Sequence, residues 1–307
     1  MERHPLAHSL RRIAPHLPAL LGYAVITLIF TYPLFLDPTR FLDNPIGGSN
    51  DQFLGMWDLW WLKKSLFELH ASPFKTSFLY YPGGVDLSLH ELTLFNGLVT
   101  LPLQCLLSKP YGIVLAFNFA VFFSFVLAGI GAYALCFHLT KDRFSSFVGG
   151  LAFAFTPYRT MHIIHIALLS TGWFPLYLLF LLRTIKDPRV LNVSAAALCI
   201  LLLLYSCMSY VYFAILLTAL VLVYYAVVYR EEFFNKSVLL SLGLLAVPLL
   251  FFRRSRTCDF SWVYGHRLGN SGNSKNHAQK LGAVGVDSGV FFRIVTRPLT
   301  SLVKPHL

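Results

Sequence analysis

The sequence is short of charge. Only 13% of its 307 residues are Asp, Glu, Lys or Arg, against about 25% in an average soluble protein. A soluble domain of this length needs a hydrated, charged surface, so that class is excluded. Acids are scarcer still, 14 against 25 Lys and Arg. The five cysteines show no C-x-x-C spacing, which argues against a disulfide framework or a zinc ribbon. No internal repeat is visible, so a solenoid is not indicated. Residues 163–182, 191–206, 211–228 and 237–252 contain no Asp, Glu, Lys or Arg at all. Ion-coupled carriers usually place ionisable groups at mid-membrane depth, and that lack weighs against a transporter.

What is present is apolar. Hydrophobic residues make up 56% of the chain, with 28 Phe, 15 Tyr and 5 Trp. Runs near 20 residues match a bilayer core of about 30 Å. They predict an all-α, polytopic transmembrane bundle with seven spans: 17–36, 111–139, 144–158, 163–182, 191–206, 211–228 and 237–252. The first span follows Arg11 and Arg12 and has no small-x-small cleavage site, so it reads as an uncleaved anchor.

Segment 92–107 is ambiguous by length, and charge decides it. If it does not cross, segments on the N-terminal side hold ten Lys/Arg in 36 residues and the opposite side six in 82. Crossing would reverse the bias. The positive-inside rule therefore puts the N-terminus in the cytoplasm and 92–107 on the outer face as a re-entrant or interfacial helix. Residues 37–110 become one large outer loop. Within it, Phe53, Met56, Trp57, Trp60 and Phe67 follow helical spacing opposite Asp51 and Asp58, as expected of a helix lying flat at the headgroups.

The chain divides at residue 252. Residues 1–252 form the membrane module, and 253–307 are a basic, polar tail with nine Lys/Arg and two acids. The tail reads either as disordered or as sequence outside the reading frame of the rest. Most of the net charge of +11 lies there, and cytoplasmic Lys/Arg account for the remainder without a nucleic-acid partner.

Three outer-face groups could carry chemistry. Asp51, in Gly47-Gly48-Ser49-Asn50-Asp51, is either a helix cap or a carboxylate general base. Asp58, seven residues on, falls at nearly the same azimuth and could share a cation with it. His90 and Glu91 are solvated loop residues in one reading. In the other, Glu91 is a carboxylate whose pKa rises at the water–lipid boundary and His90 stands beside it. Arg159, His162 and His165 form the third group, either headgroup anchors or a donor cluster for a phosphate. Two histidines are too few to define a metal site, and a divalent cation remains an open cofactor.

These residues carry a resemblance. The acidic first loop around Asp51, the helix with Trp57, Trp60 and Trp61, and Tyr80-Tyr81-Pro82-Gly83-Gly84 look like polytopic GT-C-type glycosyltransferases, specifically their bacterial membrane-protein branch. The likeness continues through Phe153-Ala154-Phe155-Thr156-Pro157-Tyr158-Arg159 and Ser170-Thr171-Gly172-Trp173, and covers roughly residues 20–250. It implies a cell-envelope enzyme of the inner membrane that takes sugar from a polyprenyl-phosphate donor at the outer face. Asp51 and Glu91 would then be catalytic, with Asp58, His90, Arg159, His162 and His165 binding substrate. The chain departs from that pattern where the second loop often supplies an acid, since Arg159, His162 and His165 stand there. Members are also usually longer. The alternative reading is a non-catalytic transporter, lipid-handling or structural envelope protein, a truncated and inactive relative.

Overall fold

A computed structural model describes residues 14–34, 36–39, 51–107, 111–245 and 247. About 76% of them are helical. A short turn, Ala14–His16, leads into α1, Leu17–Phe30. Helix α2, Asp51–Lys63, continues through a π-helical turn to Glu68. A two-residue hairpin follows, β1 Lys75–Thr76 paired antiparallel with β2 Val85–Asp86. Gly84 closes it at φ 69°, where a Cβ would meet the Thr76 carbonyl oxygen at 2.7 Å. Only glycine tolerates both constraints.

Helix α3 is Leu94–Leu106, α4 is Tyr111–Thr140 and α5 is Arg143–Ala154. Two short helices, α6 Pro157–Met161 and α7 Ile166–Leu169, precede α8, Trp173–Lys186. The chain then forms α9 Val190–Ser206, α10 Tyr210–Val228, α11 Arg230–Phe233 and α12 Lys236–Leu244.

The full set of seven expected spans is not found among the described residues. Among the described residues, three helical stretches are long and apolar enough to cross a membrane: Tyr111–Thr140, Ile166–Lys186 and Tyr210–Val228. The physical reasons for the shortfall are local. Segment 144–158 stops at Ala154, because Pro157 opens the next helix and cannot extend the previous one. Its 12 residues reach about 18 Å. Helices α1 and α9, of 14 and 17 residues, reach about 21 and 26 Å. For 237–252 the helix ends at Leu244, and most of the remainder lies outside the described residues, as does the 253–307 tail.

Helix α4 is the axis. Beside it, α1 is antiparallel: His16 Nδ1 is 2.7 Å from the Tyr133 hydroxyl at one end, and Phe30 packs on Phe125 at the other. Helix α8 instead runs parallel to α4. A Cβ on Gly172 would meet Ala128, and one on Gly131 would meet Pro175 and Leu176, at 2.8 to 3.2 Å. Lipid supplies no hydrophobic drive between helices, so close approach over small residues is how such pairs gain dispersion energy. Polar side chains within the helices bond back to carbonyls four residues earlier, as Thr27, Thr100, Thr184 and Thr218 do. That satisfies each hydroxyl without water.

Two apolar clusters result. One joins α2 and α3 to the N-terminal half of α4, where Ile113, Phe117, Val121 and Phe125 recur every fourth residue. The other joins Tyr177, Leu181 and Ile185 of α8 to Ala196, Ile200 and Leu203 of α9. The tryptophan face of helix α2 is therefore covered by protein. Trp60 and Trp61 are buried, and the Trp61 indole N–H donates to the Pro73 carbonyl at 2.7 Å. The tryptophan stripe found a protein partner in α3 and α4, a choice its period alone could not distinguish from a lipid surface.

Candidate functional site

The N-terminus of α2 faces the turn before α7. Asp51 Oδ2 lies 2.7 Å from His165 Nε2, bringing together two residues 114 apart in sequence. The Asp51 carboxylate is half exposed and the His165 ring about a quarter exposed. His165 Nδ1 is buried without a hydrogen-bond partner among the described residues. A proton there would have no acceptor, so the ring carries its proton on Nε2 and donates it to Asp51. His162 stands beside it, ring centroids 5.6 Å apart. Its Nδ1 is 2.8 Å from the Tyr158 carbonyl oxygen. A carbonyl only accepts, which places the His162 proton on Nδ1 and the basic lone pair on Nε2.

Two helical turns along α2, Asp58 forms a second acid–histidine pair. Its Oδ1 is 2.8 Å from His90 Nε2. Unlike Asp51, Asp58 is buried. Burial pushes its carboxyl up to about 6 and Glu91 adds to the rise, while the bond to His90 and that ring's charge oppose it. Helical geometry places the two acids on one face of α2 about 10 Å apart, each holding a histidine from a different segment.

Glu91 turns to the 207–210 corner. Its Oε1 accepts from the Ser209 hydroxyl, from the Ser209 backbone N–H at 3.2 Å and from Cys207 Sγ at 3.4 Å. Ser209 is the N-cap of α10 and makes no side-chain cap of its own. Glu91 therefore supplies the missing cap from another segment, at the positive end of the helix dipole. Burial, and Glu91 beside it, push the Cys207 thiol up to about 12.

Arg159 does not join these groups. Its guanidinium is buried, 1% exposed, and donates to the carbonyls of Ala154, Leu169 and Ser124 and to the Thr171 hydroxyl. The Phe125 ring lies 4.8 Å beneath it. Burial lowers its pKa to about 10, which leaves it cationic at neutral pH. The expected phosphate clamp is thus a tie between α4, α5 and the α7 turn, and its donors face carbonyls rather than a ligand.

The predicted constellation therefore divides in three: Asp51 with His162 and His165, Asp58 with His90 next to Glu91, and Arg159 apart. Among the described residues no group of three or more His, Cys, Asp or Glu is arranged to hold a metal ion. Sequence reasoning missed Ser209 and Cys207 as partners of Glu91, because they fall in the short gap between the expected spans 191–206 and 211–228. It also missed the contact between the Tyr158 and Tyr210 hydroxyls at 3.2 Å, for which the sequence offered no signal. The site and fold define a helical protein with membrane-compatible helices and paired acid–histidine groups at one end. No family model, no curated protein and no solved structure matches the chain.

Proposed function

We propose that the chain is a membrane glycosyltransferase of GT-C type, using a polyprenyl-phosphate-linked sugar at the outer face of a bacterial-type inner membrane. The observation that carries this reading is the Asp51–His165 contact of 2.7 Å. A half-exposed carboxylate that accepts an imidazole N–H is held in one orientation with a face open to an acceptor, as a general base must be. The acceptor hydroxyl gives its proton to Asp51 while its oxygen attacks the anomeric carbon. The bond from that carbon to the phosphate oxygen breaks, and the polyprenyl phosphate leaves. His162, with its lone pair on Nε2, stands where protonation would make it a cation beside the departing phosphate. Asp58 and His90 hold the next two turns of α2 in place, and Glu91 fixes the start of α10. The Lys/Arg-rich end, with the N-terminus, faces the cytoplasm.

The test uses the full chain in nanodiscs with undecaprenyl-phosphate-linked radiolabelled glucose or mannose and a membrane-lipid acceptor fraction. Asp51→Asn preserves shape and removes the proton acceptor, so transfer should fall about 10²–10⁴-fold with unchanged thermal stability. Wild-type transfer equalled by Asp51→Asn would end the proposal.

A further inference from the structure

The opposite end of α4 carries a feature unrelated to the acid–histidine pairs. Helices α4 and α8 are parallel, and their C-terminal turns finish side by side. Extending the register of Gly131 against Pro175 and Leu176 brings His138 level with Arg183 and Lys141 level with Lys186. The charges of Arg183, Lys141 and Lys186 all act on His138. Arg143 opens α5 in the same turn.

The acids of these turns are already engaged. Asp142 caps α5, its Oδ2 accepting from the Ser145 N–H at 2.7 Å. Asp187 pairs with Arg189 at 2.9 Å. Among the described residues, Lys141, Arg143, Arg183 and Lys186 form no ion pair with a carboxylate. Arg183 lies over the Phe180 ring at 5.5 Å, which sets its height on α8. Around this group, Leu139, Phe144, Val190 and Leu191 are exposed by 61 to 81%.

Helix C-termini attract one or two cations through the dipole. Four cations, from two helix ends and one turn, exceed that need. A cluster of unneutralised Lys and Arg rimmed by exposed aliphatic and aromatic side chains matches a ligand with a phosphate head and hydrocarbon tails. A solvated basic face would have no use for the apolar rim.

We propose that Lys141, Arg143, Arg183 and Lys186 form a binding site for the headgroup of an anionic phospholipid in the leaflet at this end, with Leu139, Phe144, Val190 and Leu191 against its acyl chains. The site holds one lipid species in preference to the zwitterionic bulk and clamps α4, α5 and α8 together at their ends.

The experiment places the full chain in nanodiscs of equal palmitoyl-oleoyl phosphatidylglycerol and phosphatidylcholine. Lipids retained by the released protein are then counted by native mass spectrometry. Wild type should retain phosphatidylglycerol over phosphatidylcholine by on the order of tenfold. Lys141→Gln/Arg183→Gln/Lys186→Gln should lose that preference while keeping its helical circular dichroism. Should that variant fail to fold, Lys141→Glu/Lys186→Glu, changing only exposed side chains, should still reduce the preference several-fold. Equal retention of both lipids by wild type would overturn the site, as would a preference undiminished in the variants. So would inorganic phosphate in phosphatidylcholine nanodiscs raising the thermal midpoint as much as phosphatidylglycerol does, because the ligand would then be free phosphate.

Discussion

Replacing Arg159 by methionine keeps an unbranched stem that still fills most of the buried space and deletes every donor. The guanidinium donates four hydrogen bonds, three of them to backbone carbonyls. Bonds to a charged donor contribute about 1.5–3 kcal/mol each, so four would amount to roughly 6–12 kcal/mol if nothing opposed them. The charge has no carboxylate partner, and its desolvation offsets several kcal/mol of that sum. Ala154 also ends α5, and its carbonyl is one of those a helix leaves unsatisfied. A net loss of about 3–5 kcal/mol follows, in the range measured when one partner of a buried charged network is removed. At roughly 2–3 °C per kcal/mol for a domain of 150–250 residues, the thermal midpoint should drop by about 6–15 °C. Differential scanning fluorimetry in one detergent reads this directly. Arg159→Lys should do no better, because an ammonium cannot reach carbonyls on three sides. A midpoint within about 2 °C of wild type would refute the argument. If that small shift came with weakened binding of a polyprenyl-phosphate donor, Arg159 would be the phosphate clamp its sequence context suggested.

Four further outcomes follow from the geometry. His165→Ala should leave Asp51 in place but unoriented, lowering transfer about 10–100-fold with little change in stability; activity equal to wild type would remove the histidine from the site. Asp58, raised to about 6 from 3.8, binds its proton more tightly folded than unfolded. Its contribution therefore favours folding below pH 4 and falls by roughly 3 kcal/mol as pH rises through 6; a pH series of thermal midpoints should show that fall, and Asp58→Asn should flatten it. Glu91→Ala should cost about 1–2 kcal/mol by uncapping α10 and speed amide exchange at Ser209 and Tyr210 above all, whereas uniform acceleration across the chain would contradict a local cap. Gly131→Leu should separate α4 from α8, where a Cβ already meets the Gly172 carbonyl at 2.7 Å, and lower the midpoint more than Gly243→Leu, which has open space.

The helical class was legible because composition and run length report directly on it. The number of crossings was not, because hydropathy sees how apolar a run is and not where its helix stops. Pro157 ended one expected span, whereas α9 kept the bounds expected for it and at 17 residues reaches only about 26 Å. For α2 the period was correct and the partner was not: a tryptophan stripe fits a headgroup layer and a protein groove equally well. Among site residues, Asp51 and His165 were singled out separately, and only the tertiary fold could pair them across 114 positions. Arg159 misled for a physical reason. A cation beside two histidines has the same sequence whether its side chain points to a ligand or to carbonyls.

Helix α4 also works as a ruler. Its 30 residues span about 45 Å, while a bilayer core takes up about 30 Å. A crossing would leave roughly ten residues clear of the hydrocarbon, and α2 packs on the N-terminal part of α4, where a Cβ on Gly55 would meet the Phe117 ring at 3.0 Å. With α4 across a bilayer, the height of Asp51 would thus be a property of the polypeptide. On the proposed reading, a substrate tethered by a long isoprenoid would have to rise to meet it, and a thicker bilayer would shorten the climb without moving the carboxylate. Reconstitution into lipids of graded chain length should therefore alter reach to the site in steps of ångströms, with the protein itself as the fixed scale.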